Sequence, residues 1–519
     1  MVYHQTYYNK MTWGVVMERL ACRLKLTCSH ALFGVTSATD PASRQASACE
    51  AGVKLAGKLS TLSAAAIAAA VSFYGAAEAA DLPSDKDASS PAWAGAVQPT
   101  PQPYWIDLRT KPVADFGRTL ASQGIYLSGF EDGMYNNVPA GGIMHGSFFT
   151  NWAVLGVNLD MARIAGINGA QMHIAADNVA GDGHSWKYNG ADWAYLENWG
   201  NHDGFQLREF SWDQSLFNNH MYILMGRTVP KSGEFDGSEL YCLFDTFMCS
   251  TPTMYGATGA PPSFVTSSWG FRMLIKPTKD TYAKAGVWED EPLLHTVGHG
   301  GFPGEDWDFN KGVGLFVPAE MGYKTTFADD KYPRHYDVGF TYDSSRYTDP
   351  LYGSSESHKG RSEVFFQAQQ MVWRPDLDDT RGLTVFGALN VRTTGEAPMR
   401  DSLVAGLFDR GPFESRPKDF VGLVVQNFWF NNRYTQAVDN LIGPSGSVSP
   451  TETMLELNYG AKIGPGITLI PYFEYIWNPD LMGDSTPVAG INSAVQVGLR
   501  LTAELNDALD LPVLERVRN

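Results

Sequence analysis

Residues 363–392, EVFFQAQQMVWRPDLDDTRGLTVFGALNVR, decide how the rest of the chain is read. Phe365, Gln367, Gln369 and Met371 alternate with Val364, Phe366, Ala368 and Val372, until PDLDDTRG breaks the run with Pro375, three acids and Gly382. In the second run Leu383, Val385, Leu389 and Val391 share one parity and Thr384, Asn390 and Arg392 the other. Two alternating runs around a turn-rich break make an antiparallel hairpin. Each arm is roughly ten residues long, which suits a strand crossing a bilayer at a tilt and exceeds the usual soluble strand.

Working outward, sixteen segments repeat this design. They lie near 124–131, 151–162, 168–176, 204–214, 220–228, 268–276, 281–289, 313–324, 335–343, 363–374, 381–392, 401–409, 419–428, 452–463, 466–476 and 493–503. An even number suits an all-β transmembrane barrel. Connections alternate long and short after the first strand: 132–150, 177–203, 229–267, 290–312, 429–451 and 477–492 are long, whereas MARIAGIN, NNH, PTKD, PDLDD and GP are short. Outer-membrane barrels have short periplasmic turns and longer external loops, so both ends of the barrel fall on the periplasmic side. In AVQVGLRLTAEL, Val495, Val497, Leu499 and Leu501 would face lipid, with Gln496, Arg500 and Thr502 in the lumen. In ETMLELNYGAK, Leu455, Leu457 and Tyr459 stand opposite Glu456, Asn458 and Lys462. Turning Arg500 toward lipid would cost about 2–4 kcal/mol near the midplane, which fixes the parity.

Composition sets bounds. The 519 residues contain no apolar run of about 18 or more, so any membrane span must come from strands. Aromatic residues make up 13% of the chain, yet mean hydropathy is only −0.21, as expected when a lipid-facing band is diluted by a polar lumen and loops. Secreted β-rich carbohydrate-binding proteins share that average, so composition alone does not separate the two. The formal charge is −17, and the first 79 residues are net basic, so the remainder is more acidic still. Nucleic acid is excluded as a partner on that ground.

The segments outside the barrel read as follows. Residues 1–53 lack periodicity; from Lys54, LAGKLSTLSAAAIAAAVSFYGAAEAA has the charged start, apolar middle and small-residue end of a signal peptide, residues 54–79, cleaved near Ala79 or Ala80. Residues 80–123 form a periplasmic linker whose stretch 113–122 predicts a short helix closed by Gly124. The barrel occupies 124–505, and 506–519 is a C-terminal extension.

Several stretches together, in order over roughly 105–503, resemble the carbohydrate-selective porins of the OprB type. They include LREFSWDQSL, GRTVPKSGEF, SWGFRMLIKPTKDTYAKAGVWEDEP, HGGFPGEDWDF, YDVGFTYDSS, FFQAQQMVWRPDLDDTRGLTVFGAL, GLFDRGPFESRPKDFVGLVV and ETMLELNYGAKIGPGITLIPYFEYIWNP. The resemblance implies a sixteen-stranded outer-membrane barrel that passes monosaccharides and similar small sugars by facilitated diffusion, without cofactor, metal or enzymatic step. Implied partners are small sugars, outer-membrane lipid and the barrel assembly machinery; monomer and homotrimer both stay open. This chain departs from the family in two places: NDALDLPVLERVRN follows Leu505, where the family ends on its last strand, and YWIDLRTKPVADFGRTLASQGI replaces a Gly/Trp-rich opening.

Sugar passage needs hydroxyl partners along a wall, with opposed charges that orient water and solute. Candidates are Glu209, Asp213, Arg227, Arg272, Lys276, Glu363, Gln369, Glu456, Glu474 and Arg500; each taken singly also fits a solvated lumen residue. Arg208 and Trp212 take the parity opposite Glu209, so that block can face either way. The longest connection, 229–267, carries Glu234, Asp236, Glu239 and Asp245 with Cys242 and Cys249. In an oxidising compartment the two cysteines make a disulfide, since metal binding would want more ligands. By analogy with general porins this acidic segment folds into the channel as a constriction loop; the alternative is a loop stapled on the surface.

Three enzyme-like patterns fail. His295 and His299 sit among glycines without a flanking base. Asp306, Asp308 and Asn310 open like a calcium loop, but Val317 stands where the bidentate Glu belongs. No nucleophile elbow, P-loop or dinucleotide fingerprint occurs in a strand–helix context.

Overall fold

The computed structural model describes residues 102–181, 185–191, 204–230, 235, 238–245, 267–290, 312–349, 351, 353–377, 379–443, 448–481 and 490–516. The expected signal peptide, the first half of the linker, Glu234, Asp236, Cys249, His295, His299, Asp306, Asp308 and Asn310 lie outside the described residues.

Sixteen antiparallel strands close into one barrel. In chain order they are β1 Ile125–Gly141, β2 Gly146–Asp160, β3 Ala170–Gly181, β4 Gly204–Leu216, β5 Met221–Thr228, β6 Ser268–Ile275, β7 Thr281–Asp290 and β8 Gly314–Lys324. Then come β9 Arg334–Asp349, β10 Gly353–Trp373, β11 Gly382–Thr394, β12 Met399–Arg410, β13 Phe420–Phe430, β14 Thr451–Gly464, β15 Ile467–Trp477 and β16 Ser493–Glu504. Every sequence-predicted strand is present. Closure comes from β1 pairing with β16, with Met134 opposite Arg500.

The alternation makes two faces. Val497, Leu499 and Leu501 of β16, Leu403 and Leu407 of β12, and Val338 and Phe340 of β9 stand exposed on the outer wall, where lipid covers them. Removing such side chains from water is worth roughly 1.5–3 kcal/mol each. The other parity is buried within the barrel, including Gln496 and Arg500 of β16 and Glu456 and Asn458 of β14.

The inner wall carries a feature that period-2 reading missed. Phe365, Phe386, Phe420, Tyr472, Trp288 and Tyr282 are each paired directly with a glycine on the neighbouring strand: Gly339, Gly406, Gly460, Gly498, Gly270 and Gly322. Each ring lies flat over its glycine, so close that an added Cβ would meet ring atoms at 2.0–2.4 Å. Aromatic bulk is thereby laid along the wall instead of across the lumen, and the ring covers backbone that glycine leaves bare.

The external connections differ from expectation. Most of the expected loop 132–150 is strand, because β1 and β2 continue to a turn at 142–145, where Gly141 and Gly142 take φ near +67°. The β9–β10 and β11–β12 connections are likewise short, since β10 begins at Gly353 and β12 at Met399. The long–short alternation is thus weaker than the sequence suggested. In β1 the positions paired with lipid-facing Leu501, Leu499 and Val497 are Gly133, Tyr135 and Asn137, and β10 opens with GSSESHKGRS, so no aliphatic period marks either stretch.

Four α-helices occur among the described residues. α1, Lys111–Ser122, matches the expected short helix; Pro112 suits its first turn, and Gly124 at φ +86° follows its end. The MARIAGIN turn contains α2, Met161–Ala165, whose first amides are accepted by Asp160 at 3.0 and 3.4 Å. α3, Asn432–Ile442, lies in a connection read as loop, and α4, Leu505–Leu509, follows β16 without a break.

Candidate functional site

The site is built by a connection that leaves its own strands. Residues 238–245 belong to the link between β5 and β6, yet they bond to β10, β14 and β16 across the interior. Ser238 Oγ donates to Gln369 Oε1 at 2.6 Å and also accepts from the amide of Leu240, starting a short helical turn over Glu239–Leu243. Leu240, Tyr241 and Phe244 pack on Phe386, Val404, Phe408, Phe420 and Ile470, an apolar strip on the inner wall. The far end is tied by polar wall residues. Asn458 Nδ2 donates to Leu243 O at 2.9 Å, Arg500 Nη1 to Phe244 O at 3.2 Å, and the Asp245 amide donates to Glu456 Oε2 at 2.8 Å. At the near end Phe235 sits edge-on to Trp288 with centroids 5.8 Å apart, and Lys284 Nζ lies 5.0 Å from the Phe235 ring. Apolar residues sequester themselves on a matching strip while backbone groups at the segment's end find charged partners, so few are left bare.

Of the expected acidic residues, Asp245 is buried against this wall, with Gln496 Nε2 3.4 Å from its Oδ2. Glu239 is in the helical turn. Cys242 is disulfide-bonded and packs on the apolar cluster that includes Phe130 and Trp152.

Of the ten wall candidates, the barrel carries nine on strands. Glu456 and Glu474 are directly opposite one another on β14 and β15, both fully buried, and Glu474 is opposite Gln496 of β16. Arg500 is gripped by Asp132 of β1, with Nε to Oδ1 at 2.8 Å and Nη2 to Oδ2 at 2.5 Å. Glu363 on β10 lies 3.8 Å from Arg392 of β11. Arg227 donates to Ser267 O at 2.8 Å, and Arg272 is buried on β6. Lys276 falls just beyond β6, in the turn, with its Nζ 5.5 Å from the Tyr222 ring; it is a rim residue and not a strand residue.

Glu209 and Asp213 both face inward, and the ambiguity of their block has a structural cause. The β3–β4 register shifts between Ala175 and Ala176, leaving Arg208 as a bulge. Glu209 therefore points inward beside Ser211, while Arg208 also reaches interior groups, 3.8 Å from Asp177 and over the Trp152 ring at 4.7 Å. Buried Asp213 lies 3.5 Å from His173, whose other ring nitrogen meets Asn158 at 2.7 Å.

Reading by parity missed Asp132, because its stretch looked like loop, and Ser238, because nothing in sequence says which wall a folded-in connection meets. It also missed Arg361, held by Asp343 at 2.6 Å. Glu320, His335 and Asp337 cluster on β8 and β9 within metal-ligand reach, but Lys284 Nζ stands 3.1 Å from Glu320, so an ammonium already supplies the positive charge.

A closed barrel with an apolar outer band, an interior lined by ionisable and polar side chains and a connection folded into its lumen is an outer-membrane channel. The lipid-facing band separates it from the secreted carbohydrate-binding alternative. Residues 152–505 match the pattern of the carbohydrate-selective porin, OprB family, and the chain belongs to that family. It is 23% identical over 372 residues to Porin B of Pseudomonas aeruginosa, covering 66% of this chain and 80% of that protein. It is 24% identical over 286 residues to the putative porin QuiX of Acinetobacter baylyi, covering 52% and 64% respectively. The structure of Pseudomonas putida OprB at high pH superposes with a TM-score of 0.68 at 20% identity, over 79% of this chain and all of that one. The chain is thus an outer-membrane porin of a carbohydrate-selective family.

Proposed function

We propose that this porin passes monosaccharides and similar small sugars by passive diffusion, with no catalytic step. The observation that carries the reading is the inward segment 238–245 facing Glu456, Glu474, Gln496 and Arg500, because that wall offers charged donors and acceptors within one solute's reach. A hydroxyl-rich solute exchanges water for charge-assisted hydrogen bonds there, and several weak sites in series let it leave again. Asp245 and the wall residues Glu209, Asp213, Arg227, Arg272, Glu363 and Gln369 complete the path in this reading, with Lys276 at its rim. The mature chain begins near Ala80, is inserted by the barrel assembly machinery and works as a monomer or homotrimer.

The test is uptake by proteoliposomes of a solute panel: a hexose, a disaccharide, and a small neutral solute without hydroxyls. Hexose flux should exceed both of the others and saturate. Flux that falls only with solute size and never saturates would make this a general diffusion pore.

A further inference from the structure

The chain after the last strand does not leave the barrel. α4 continues β16, and Asp510, at φ 54° and ψ 46°, ends the helix and turns the chain back. The turn is fixed by Asn506, whose Nδ2 donates to Leu127 O at 2.9 Å and Pro512 O at 3.2 Å, and whose carbonyl accepts from the Leu511 amide at 2.8 Å. Leu505, Ala508 and Leu511 are buried in the cluster formed by Phe130 and Met134 of β1 and Trp152 and Val154 of β2, all inward-facing. Further along, Glu515 O accepts from Gln171 Nε2 of β3 at 2.7 Å. Arg516 then meets Glu209 of β4 through both guanidinium ends, one of them at 3.0 Å, and is itself only 8% exposed. Residues 505–516 thus form a strap over the inner faces of four consecutive strands, ending near the middle of β4.

The family match stops at residue 505, so the strap lies beyond the matched residues. Its charge matters because the wall it reaches is acidic. Asp177, Glu209 and Asp213 face the interior there; Arg208 of the same wall lies against Asp177, and His173 against Asp213. Ser211 also donates to Glu209, at 2.6 Å.

We propose that Arg516 is a selectivity-determining residue delivered to the lumen by the C-terminal strap: it cancels Glu209 and narrows the path beside β1–β4. This rests on the reading of Glu209 as a wall residue. In a narrow, poorly screened lumen one fixed charge biases which ions and solutes enter, so the pair sets the balance between cations and anions.

The experiment is planar-bilayer recording of the full-length porin under a potassium chloride gradient. Arg516→Ala should raise the potassium-to-chloride permeability ratio severalfold, and Arg516→Lys should keep it near wild type. Glu209→Gln with Arg516→Ala should return it toward wild type, as removal of both halves of one pair requires. A truncation after Pro512, which keeps Leu511 in its cluster, should show the same cation preference with a larger single-channel conductance. Wild-type ratio and conductance in both the Ala variant and the truncation, with heat-modifiable folded barrels, would overturn the proposal and leave the strap as an anchor. Hexose flux in the same preparations reports separately on the sugar reading: its absence in wild type would sink that reading and not this one.

Discussion

Arg500 of β16 and Asp132 of β1 form a buried two-pronged ion pair across the seam that closes the barrel, and a third guanidinium nitrogen holds Phe244 O of the inward segment. One side chain therefore joins wall closure to lumen shape. Removing one partner of such a pair strands the other charge, a loss of about 3–5 kcal/mol. Arg500→Ala should lower the temperature at which the barrel unfolds in detergent gels and raise salt conductance by loosening the segment. A Lys at 500 should rescue only part, because it lacks the second and third donors. Unchanged conductance with a destabilised barrel would mean that Phe244 is held by its packing alone.

Selectivity should respond on the wall before stability does. Arg272→Ala and Glu474→Gln each remove a hydrogen-bonding partner on the inner face without touching the lipid-facing band. Hexose uptake by proteoliposomes should fall severalfold in each, while salt conductance is kept or rises and heat modifiability is unaltered. Full sugar flux in both variants would place the sugar path elsewhere in the lumen.

What could be read from sequence follows from what a bilayer enforces. A lipid-facing side chain has no polar partner to excuse the wrong parity, so Val497, Leu499 and Leu501 announce their face, and Gln496 and Arg500 theirs. Where outward positions are not aliphatic that signal fails, which is why the upper half of β10, polar on both faces, and that of β1, with Gly133 and Asn137 on its outer face, read as loop although their backbones are paired. Inside the lumen each residue answers to partners distant in sequence. Asp245 finds Glu456 from 211 positions away, and Arg516 finds Glu209 from 307, and no local pattern encodes either meeting. The bulge at Arg208 hid the facing of Glu209 for the same reason: one inserted residue on β4 reverses parity, and it shows only in the pairing with β3.

The glycine–aromatic pairs should be intolerant of even a methyl group. At Gly498 an added Cβ would lie 2.1 Å from Tyr472 Cζ, and Tyr472 is itself held by a hydrogen bond to Asn136. Gly498→Ala should therefore destabilise the barrel by about 1–3 kcal/mol, the usual cost of overpacking. Adding Tyr472→Leu should recover part of that loss. Gel-shift melting of the single and double variants checks this, and a neutral single variant would mean that the ring moves freely into the lumen.

The last prediction concerns pH at the periplasmic rim. Asp419, in the turn before β13, is fully buried and accepts from Gln102 Nε2 at 2.7 Å, Arg416 Nη2 at 3.0 Å, the Lys462 amide at 3.0 Å and the Tyr459 hydroxyl. Burial alone pushes its carboxyl pKa up, but the hydrogen bonds from Arg416, Tyr459, Lys462 and Gln102 more than offset this and hold it below the ordinary 3.8. A depressed carboxylate contributes stability that is complete above its unfolded value and is lost as pH falls through the folded one. The knot should thus be intact at pH 5 and above, and should weaken as pH drops below 3.8. Since it ties the chain near residue 102 to β14, its release should speed amide exchange at Trp105 and Ile106, both bonded to Ile463 O, before the barrel itself responds. Asp419→Asn should show fast exchange at those amides already at neutral pH, with a loss of roughly 1–3 kcal/mol in local stability. Protection that is identical in wild type and variant from pH 7 down to pH 3 would assign the anchoring to the backbone bonds alone.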